Sequence, residues 1–349
     1  MADNDAHQNS SPVASLPADS DLNVRLRQMI AGYQVTQAIH VAAVLGVADL
    51  LKEGPQSAAW LAEQTGSNEE ALYRLLRSLE SIGIFAEVEP RRFALTPLAE
   101  LLRTDAPESV HAGAVMHGQD WFWRPWGRLL DSVKTGNPTF EAVVGKKFYE
   151  LLQSDPEARA IALRAMTVAS VPAAVSTYDF SRASLLVDVA GGDGTVLSAI
   201  LLSQPQLSAV YLDRPSMLEV ATRNLAAAGV KDRCQLVTGN FFESVPTGGD
   251  VYLVCQTLHN WDDPPAAQIL ATCRRAMTDG STLVVVERIL PRGHVSHGGP
   301  LIDLNMLVLM GGRERTEDEY EALLAKAGFR MTSARPAPYG NSFIEAEPV

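Results

Sequence analysis

The chain has 349 residues, of which 46% are hydrophobic and 20% charged, and its formal net charge is −12. This length suits two domains better than one small core. The acidic balance argues against sustained contact with a nucleic-acid backbone, which depends on clustered Lys and Arg. No apolar run approaches the roughly 18 to 20 residues that span a bilayer. We therefore expect neither a nucleic acid nor a membrane as a partner.

The N-terminus and the cysteines indicate where the protein works. Residues 1–20 are polar and acidic, lack the features of a secretory signal, and predict a disordered tail. The three cysteines, Cys234, Cys255 and Cys273, are scattered without CxxC spacing. This pattern disfavours disulfides and a zinc site, and the histidines show no metal-binding spacing either. The sequence predicts a cytoplasmic protein without a bound metal.

Residues 21–102 have a helical pattern that ends in two short helices, a tight link at residues 66–68, and two strands around Pro90. This order is typical of a winged helix. The second short helix opens with Glu69 and Glu70, which suits a DNA major groove poorly. We therefore predict a packing or dimerisation role for this domain. A non-catalytic winged-helix regulator is the alternative.

In the rest of the chain, the sequence pattern changes near residue 180. Residues 103–180 are helical and rich in Trp, Phe and Met, and predict a helical linker that contributes to a substrate pocket. In residues 181–349, short apolar runs such as LLVDVA, AVYLDR and DVYLVCQ alternate with amphipathic helices. This alternation predicts an α/β fold with a Rossmann-like, mostly parallel sheet and helices on both faces. A helix followed by edge strands should end the chain.

A glycine-rich turn follows the first strand of the predicted sheet. The strand LLVDV runs into Ala190-Gly191-Gly192-Asp193-Gly194 and then into a helix, an arrangement that brings backbone amides close to a ligand. A dinucleotide site would need a third glycine at Leu197. An acid followed by glycines is instead favoured by methyltransferases, and Asp188 is that acid. Turn glycines without a ligand are the alternative.

Two further strand ends agree with a nucleoside cofactor. Asp213 ends the next strand, where an acid can bind ribose hydroxyls in either cofactor class. Asn240 and Phe241 end the third strand, where an amide and an aromatic ring could hydrogen-bond to adenine and stack on it. Three strand ends in this order favour S-adenosylmethionine as the cofactor.

The segments VDVAGGDG, LDRP, GNFF, LHNWDD, VVVERILP and GGRERTEDEYEALLAKAGF together resemble the class I S-adenosylmethionine-dependent O-methyltransferases. That family includes plant caffeate and flavonoid enzymes and bacterial enzymes that tailor anthracyclines, mitomycins and phenazines. The resemblance implies a homodimer formed through the N-terminal domain. It also implies methylation of a phenolic or N-hydroxy group on a planar aromatic natural product, such as a phenazine or polyketide.

The resemblance also implies the roles of individual residues. His259 falls at the general base, and Glu287 and Glu314 fall at the acids that orient it. Without the resemblance, His259 could be a loop histidine capped by Asp262, and the glutamates could form surface ion pairs. Histidine suits proton removal near neutral pH because its ordinary pKa is about 6.5.

The remaining implied positions form two sets. The cofactor set comprises Asp188, Ala190, Gly191, Gly192, Gly194, Asp213, Arg214, Asn240, Phe241, Phe242, Cys255 and Ser170. The substrate set comprises Met116, Trp123, Phe148, Met166, Asn305, Met306 and Met310, although each of these could be a core residue.

Several positions depart from the family pattern. Ala190 replaces the usual first glycine, and we expect its methyl to be tolerated if the residue has a negative φ. Asn240 replaces Asp, Cys255 stands where Lys is frequent, and Asn260 replaces the Asp beside the histidine. A few relatives with this cofactor hydroxylate or decarboxylate instead, and that chemistry is the second alternative.

Overall fold

The computed structural model describes residues 19–166, 170–291 and 299–349, with the side chains at 19, 20, 170 and 299 left out. The predicted tail over residues 1–20 thus falls outside the described residues, apart from the first two backbone positions of helix α1. The chain divides into two compact units, one ending at Glu100 and the other spanning Leu101–Val349. None of the helices in the described ranges is long and apolar enough to cross a membrane.

The N-terminal unit has a winged-helix order of elements. These are α1 (Asp19–Ile30), α2 (Gly32–Val44), α3 (Val47–Leu50), β1 (Gln56–Ser57), α4 (Ala58–Thr65), α5 (Glu69–Glu80), β2 (Phe85–Glu89), β3 (Arg92–Leu95) and α6 (Pro97–Glu100).

Local sequence explains the turns of this unit. Gly66 ends α4 with a left-handed φ of 63°, and Asn68 begins α5 by accepting a hydrogen bond from the amide of Ala71. Strands β2 and β3 pair antiparallel around Pro90, as the sequence predicts. The sequence did not predict β1, which pairs with β3 and makes the sheet three-stranded.

The C-terminal unit begins with seven helices. They are α7 (His111–His117), α8 (Asp120–Trp126), α9 (Leu129–Thr135), α10 (Phe140–Val144), α11 (Phe148–Ser154), α12 (Pro156–Met166) and α13 (Ser170–Val175). Phe140 and Phe148 pack edge-on at 5.4 Å between ring centroids, and they belong to a buried cluster that joins these helices to the later helix α17.

The mixed sheet that follows has seven strands, and five of them run parallel. The elements are β4 (Leu185–Val189), α14 (Thr195–Ser203), β5 (Ser208–Asp213), α15 (Pro215–Ala227), β6 (Cys234–Thr238), β7 (Val251–Cys255), α16 (Asp263–Ala276), β8 (Thr282–Glu287), β9 (Ile289–Leu290), α17 (Gly299–Leu309), β10 (Arg315–Thr316), α18 (Glu317–Lys326), β11 (Phe329–Pro336) and β12 (Ser342–Pro348).

The order across the sheet is β11-β12-β8-β7-β4-β5-β6. Alternate residues of β4 face opposite cores: Val187 and Val189 pack with α16 and α18, whereas Leu186 packs with α14 and α15. Helices therefore cover both faces, which confirms the predicted fold class.

One expectation about the sheet is wrong. Both C-terminal strands were expected at the edge, but β12 lies inside the sheet between β8 and β11, and of the two only β11 is an edge strand. The physical reason is burial: Phe343, Ile344 and Ala346 of β12 are at most 2% exposed, so the strand needs cover on both faces.

Candidate active site

Four of the predicted site residues lie at the carboxyl ends of parallel strands. Asp213, Cys255 and Glu287 are the last residues of β5, β7 and β8, and Asp188 is the penultimate residue of β4. The carboxyl ends of parallel strands form one edge of a sheet, where open α/β folds bind ligands.

The turn after β4 approaches its neighbours closely. A Cβ added at Gly191 would lie 2.5 Å from the ring of Tyr211 and 2.6 Å from Oδ2 of Asp188, so a larger residue does not fit. Gly192 and Gly194 have φ of 58° and 77°, a region that favours glycine. The turn is therefore shaped by glycines at the positions that the sequence singled out.

Ala190 does not meet the condition under which its methyl was expected to be tolerated, because its φ is 63° and not negative. Its amide donates to the carbonyl of Leu212 at 2.9 Å, and the amide of Gly191 donates to the same oxygen at 3.2 Å. These bonds tie the turn to β5 and hold Ala190 in the left-handed region. A non-glycine residue there costs roughly 1 to 2 kcal/mol.

The two acids at the first strand ends are buried and differ in their partners. Asp213 accepts hydrogen bonds from the amides of Gly192 at 2.8 Å and Arg214 at 2.6 Å. Asp188 is 2% exposed, and its Oδ2 has no hydrogen-bond partner among the described residues. Burial, together with the charge of Asp213, raises the pKa of Asp188 to about 7. An unpartnered buried carboxylate oxygen suits a ligand that brings a donor or a positive charge.

The third strand end carries a cluster of aromatic rings. The ring centroids of Phe241 and Phe242 lie 4.9 Å apart, and the ring of Phe242 packs edge-on against that of Trp261 with 4.8 Å between centroids. The Oδ1 of Asn240, which the sequence assigns to adenine, already accepts from the amide of Phe242 at 3.1 Å. One lone pair of that oxygen thus stabilises the turn itself. Trp261 was not anticipated from the sequence.

The other residues of the cofactor set are placed as follows. The guanidinium of Arg214 lies 4.9 Å from the ring centroid of Tyr149, which sequence reasoning missed. Burial raises the pKa of Tyr149 to about 12. Burial also raises the pKa of the Cys255 thiol well above its usual range. The side chain of Ser170 lies outside the described residues.

His259 lies in the short turn Leu258–Asn260 after β7, and both glutamates contact its ring. Nδ1 is 3.0 Å from Oε1 of Glu314 and 3.4 Å from Oε2 of Glu287. Both contacts use the same ring nitrogen, which leaves Nε2 for a substrate. The side chain of His259 is 14% exposed, so a ligand can reach it.

Glu287 also holds the backbone around the histidine. Oε1 of Glu287 accepts from the amides of Thr257 at 2.8 Å and Leu258 at 2.7 Å. The amide of Glu314 donates to Asp303 at 2.7 Å. Strand β9 follows Glu287 and pairs with β10, which follows Glu314, and this pairing brings the two acids together.

The structure does not support the alternatives of surface ion pairs for the two glutamates and of capping by Asp262 for the histidine. Glu287 and Glu314 are 0% and 4% exposed, so they do not form surface ion pairs. Asp262 pairs with Arg313 at 3.0 Å and has no contact with the ring of His259.

Burial alone would lower the pKa of His259, but the charges of Glu287 and Glu314 outweigh it and raise the pKa to about 9. In the ligand-free protein, the ring is therefore protonated at neutral pH. Among the described residues, the ligand atoms of these same three side chains lie within 4.8 Å of one another, close enough to hold a metal ion. A metal-free mechanism thus stays a prediction.

Three members of the substrate set lie together, since Met310 packs against the buried cluster that contains Met116 and Phe148, and the others are not part of that cluster. Met116 and Phe148 are buried in the cluster around Phe140, whereas Met166 is 45% exposed. Trp123 lines a separate open cavity of about 470 Å³ whose other lining residues are outside the set.

The members on and beside α17 are better placed to face a ligand. Asn305, Met306 and Met310 are each only partly buried. Oδ1 of Asn305 accepts from the indole of Trp126 at 3.0 Å, a partner that the sequence did not reveal.

Comparisons with known proteins agree over nearly the whole chain. Residues 126–330 match the O-methyltransferase domain, and residues 27–105 match the O-methyltransferase dimerisation domain. The phenazine O-methyltransferase PhzM of Lysobacter antibioticus is 43% identical over 327 residues, which cover 93% of this chain and 96% of that protein. The solved structure of the mitomycin 7-O-methyltransferase MmcR has a TM-score of 0.89 at 37% identity and covers 95% of this chain and 98% of its own.

A second solved structure contains ligands. NcsB1, an O-methyltransferase from neocarzinostatin biosynthesis, is described with S-adenosylmethionine and 2-hydroxy-5-methyl naphthoic acid. Its TM-score is 0.80 at 32% identity, with 90% of this chain and 96% of that chain covered.

Other relatives are named for different chemistry. A phenazine-1-carboxylate N-methyltransferase of Pseudomonas aeruginosa is 32% identical, covering 92% of this chain and 96% of that protein. The aclacinomycin 10-hydroxylase RdmB of Streptomyces purpurascens is 35% identical, and the match covers 96% of this chain and 93% of that protein. The choice of reaction must therefore be argued from the site itself.

The conformation of Ala190 generates a stability prediction. Replacing Ala190 by glycine removes the energetic cost of a left-handed φ in the folded protein, but it also increases the conformational entropy of the unfolded chain. We therefore expect the free energy of unfolding to stay the same or to rise by up to about 1 kcal/mol. The matched control is Ala226→Gly in the exposed last turn of α15, which should cost about 0.5 to 1 kcal/mol. Urea unfolding of both variants checks the difference, and equal losses would contradict the assigned backbone.

Proposed function

This chain belongs to the family of S-adenosylmethionine-dependent O-methyltransferases, and we propose that it methylates a hydroxyl group on a planar aromatic molecule with His259 as the general base. The observation that carries the proposal is the ring of His259, whose Nδ1 is held by two buried glutamates while Nε2 faces away from them.

The first strand ends fit the cofactor that the family implies. The unpartnered Oδ2 of Asp188 can accept a hydrogen bond from an ammonium group, and the glycine turn leaves room for a ligand beside it. Asp213 is fixed by two backbone amides and retains lone pairs for ribose hydroxyls. When bound, S-adenosylmethionine supplies an electrophilic methyl group on a cationic sulfur.

The chain's own residues must position the acceptor oxygen and remove its proton. Nε2 of His259 takes that proton, and the contacts at Nδ1 keep the ring in the orientation and tautomer that this requires. Glu314 makes the shorter contact with Nδ1, so we assign the orienting role mainly to it. Glu287 contributes its charge and holds the amides of the turn.

The elevated pKa of His259 sets the pH dependence. An imidazolium beside a phenolate carries the same number of protons as an imidazole beside a phenol. One proton must therefore leave the free enzyme and acceptor before transfer, whichever partner loses it. With an acceptor whose hydroxyl ionises at higher pH than His259, activity should rise with pH until His259 is neutral.

An aromatic acceptor is supported by the side chains that border this part of the chain. Met306, Met310 and Asn305 offer an adaptable apolar wall with one amide held in place by Trp126. NcsB1, with its naphthoic acid ligand, gives a similar chemical class. A phenolic or N-hydroxy group on a fused ring system, such as a phenazine or polyketide, is the acceptor that we propose.

Loss of the base tests the proposed chemistry. His259→Ala should reduce kcat by about 10² to 10⁴-fold, since general-base catalysis contributes that much, while the Kd for S-adenosylmethionine changes little. His117→Ala, at an exposed histidine, is the control and should behave like the wild type. Calorimetry and a mass-spectrometric assay over a panel of hydroxylated aromatics measure both quantities. Hydroxylated or decarboxylated products instead of methylated ones would refute the proposal.

Loss of the orienting acid tests the pH dependence. Glu314→Gln removes a negative charge that raises the pKa of His259, so the acid limb of the kcat/KM profile should move from near pH 9 to lower pH. An acceptor whose hydroxyl ionises at higher pH should be used. Glu317→Gln on the exposed start of α18 is the control and should leave the limb in place. A limb that stays fixed in Glu314→Gln would contradict the assignment.

We further propose that the protein forms a homodimer through its N-terminal unit. Helix α1 exposes a set of apolar side chains at 50% to 68% of their surface: Val24, Leu26, Met29 and Ile30. Leu26, Met29 and Ile30 fall within about 100° of one another around the helix, and an apolar face of this kind favours a protein partner. A second copy is the occupant that agrees with the dimerisation-domain match of residues 27–105.

Charges on this face should disrupt the dimer. The double variant Met29→Glu and Ile30→Glu should shift the molecular mass in light scattering from dimer to monomer. Val88→Glu, at an exposed apolar residue of β2, is the control and should remain dimeric. A dimer that persists in the double variant would place the interface elsewhere.

A further inference from the structure

Arg315 is a fully buried arginine next to the proposed catalytic cluster. It begins β10 directly after Glu314, and its exposed fraction is 0%. A buried guanidinium is costly unless its donors are satisfied. The fold therefore tolerates Arg315 only where enough acceptors surround it.

Those acceptors lie on both sides of His259 in the chain. Nη1 donates to the carbonyl of Leu258 at 3.2 Å, and Nη2 donates to the carbonyl of Trp261 at 2.9 Å. Nε and Nη2 both donate to Oδ1 of Asp263, at 3.0 and 2.9 Å. One planar side chain thus ties together three points of the segment that carries His259.

Gly312 brings the two segments into close contact. A Cβ added there would overlap the carbonyl oxygen of His259 and the backbone of Asn260. Residues 312–315 therefore pack directly on the histidine turn, with the side chain of Glu314 at the ring and that of Arg315 at the backbone.

We propose that Arg315 is a positioning residue for proton transfer, which holds the turn around His259 so that the ring stays aligned with the acceptor. This inference rests on the proposed role of His259 as the base. Arg315 also opposes the two glutamates, since its charge lowers the pKa of His259.

Two substitutions separate the geometry of Arg315 from its charge. Arg315→Lys keeps a positive charge but loses the planar fork, since one ammonium cannot reproduce bonds to Leu258, Trp261 and Asp263. Arg315→Met removes both. Arg313→Lys, at an exposed ion pair with Asp262, is the matched control.

The kinetic test compares kcat with cofactor binding. In Arg315→Lys we expect kcat to fall about 10- to 100-fold, because a small misplacement of a catalytic group costs that much, with the Kd for S-adenosylmethionine within about twofold. Asp263 is the partly exposed carboxylate that pairs with Arg315, so Asp263→Asn tests the same contact even if Arg315→Met does not fold. We expect Asp263→Asn to lower kcat as Arg315→Lys does. Wild-type kcat in Arg315→Lys and Asp263→Asn, or equal losses of kcat and cofactor affinity, would overturn the proposal.

The electrostatic test does not depend on turnover. Histidine-selective NMR titration, with the His259→Gln spectrum identifying the resonance, should show a higher pKa for His259 in Arg315→Met and little change in Arg315→Lys. A pKa in Arg315→Met equal to or below that of the wild type would overturn the proposal. Failure of the proposed function would show separately, as full turnover in His259→Ala.

Discussion

The arrangement around His259 depends on charge balance in a buried place. Glu287 and Glu314 are almost wholly excluded from solvent, and isolated carboxylates cannot be buried without partners. The ring of His259 and the backbone amides at Glu287 supply those partners, while Arg315 holds the neighbouring backbone. Because each charge needs the others, the turn after β7, the end of β8 and the start of β10 must come together.

The predicted cofactor end of the site also contains a buried acid. Asp188 is buried with an unpartnered oxygen, and its raised pKa reflects a charge that the fold leaves uncompensated. Ala190 holds a left-handed conformation at the same turn. Unmet polar groups and local strain are tolerated where a ligand compensates for them. The proposed catalytic cluster likewise keeps one buried carboxylate oxygen without a hydrogen-bond partner on each glutamate among the described residues, Oε2 of Glu287 and Oε2 of Glu314.

Patterns with a local cause were predicted well. The strand followed by glycines located Asp188 and the close approach at Gly191, and the alternation of strands and helices gave the fold. Predictions that needed backbone angles or distant packing were less secure. The φ of Ala190 could not be foreseen from the sequence, because hydrogen bonds to Leu212 of β5 determine it. Met116 and Phe148 proved to be buried in an aromatic core, since a pattern of large apolar residues does not tell a pocket wall from a core.

The sequence by itself determined the class of fold, the position of the glycine-rich turn after the first strand of the sheet and the types of side chain at the strand ends. These follow from periodicity and from residue types within short segments, which act locally. Only the tertiary structure decided that both glutamates reach the same nitrogen of His259 and that Arg315 holds the turn beneath it. Residues that lie far apart in sequence meet there because β9 pairs with β10 and because buried charges must find one another, and neither condition is visible in the order of residues along the chain.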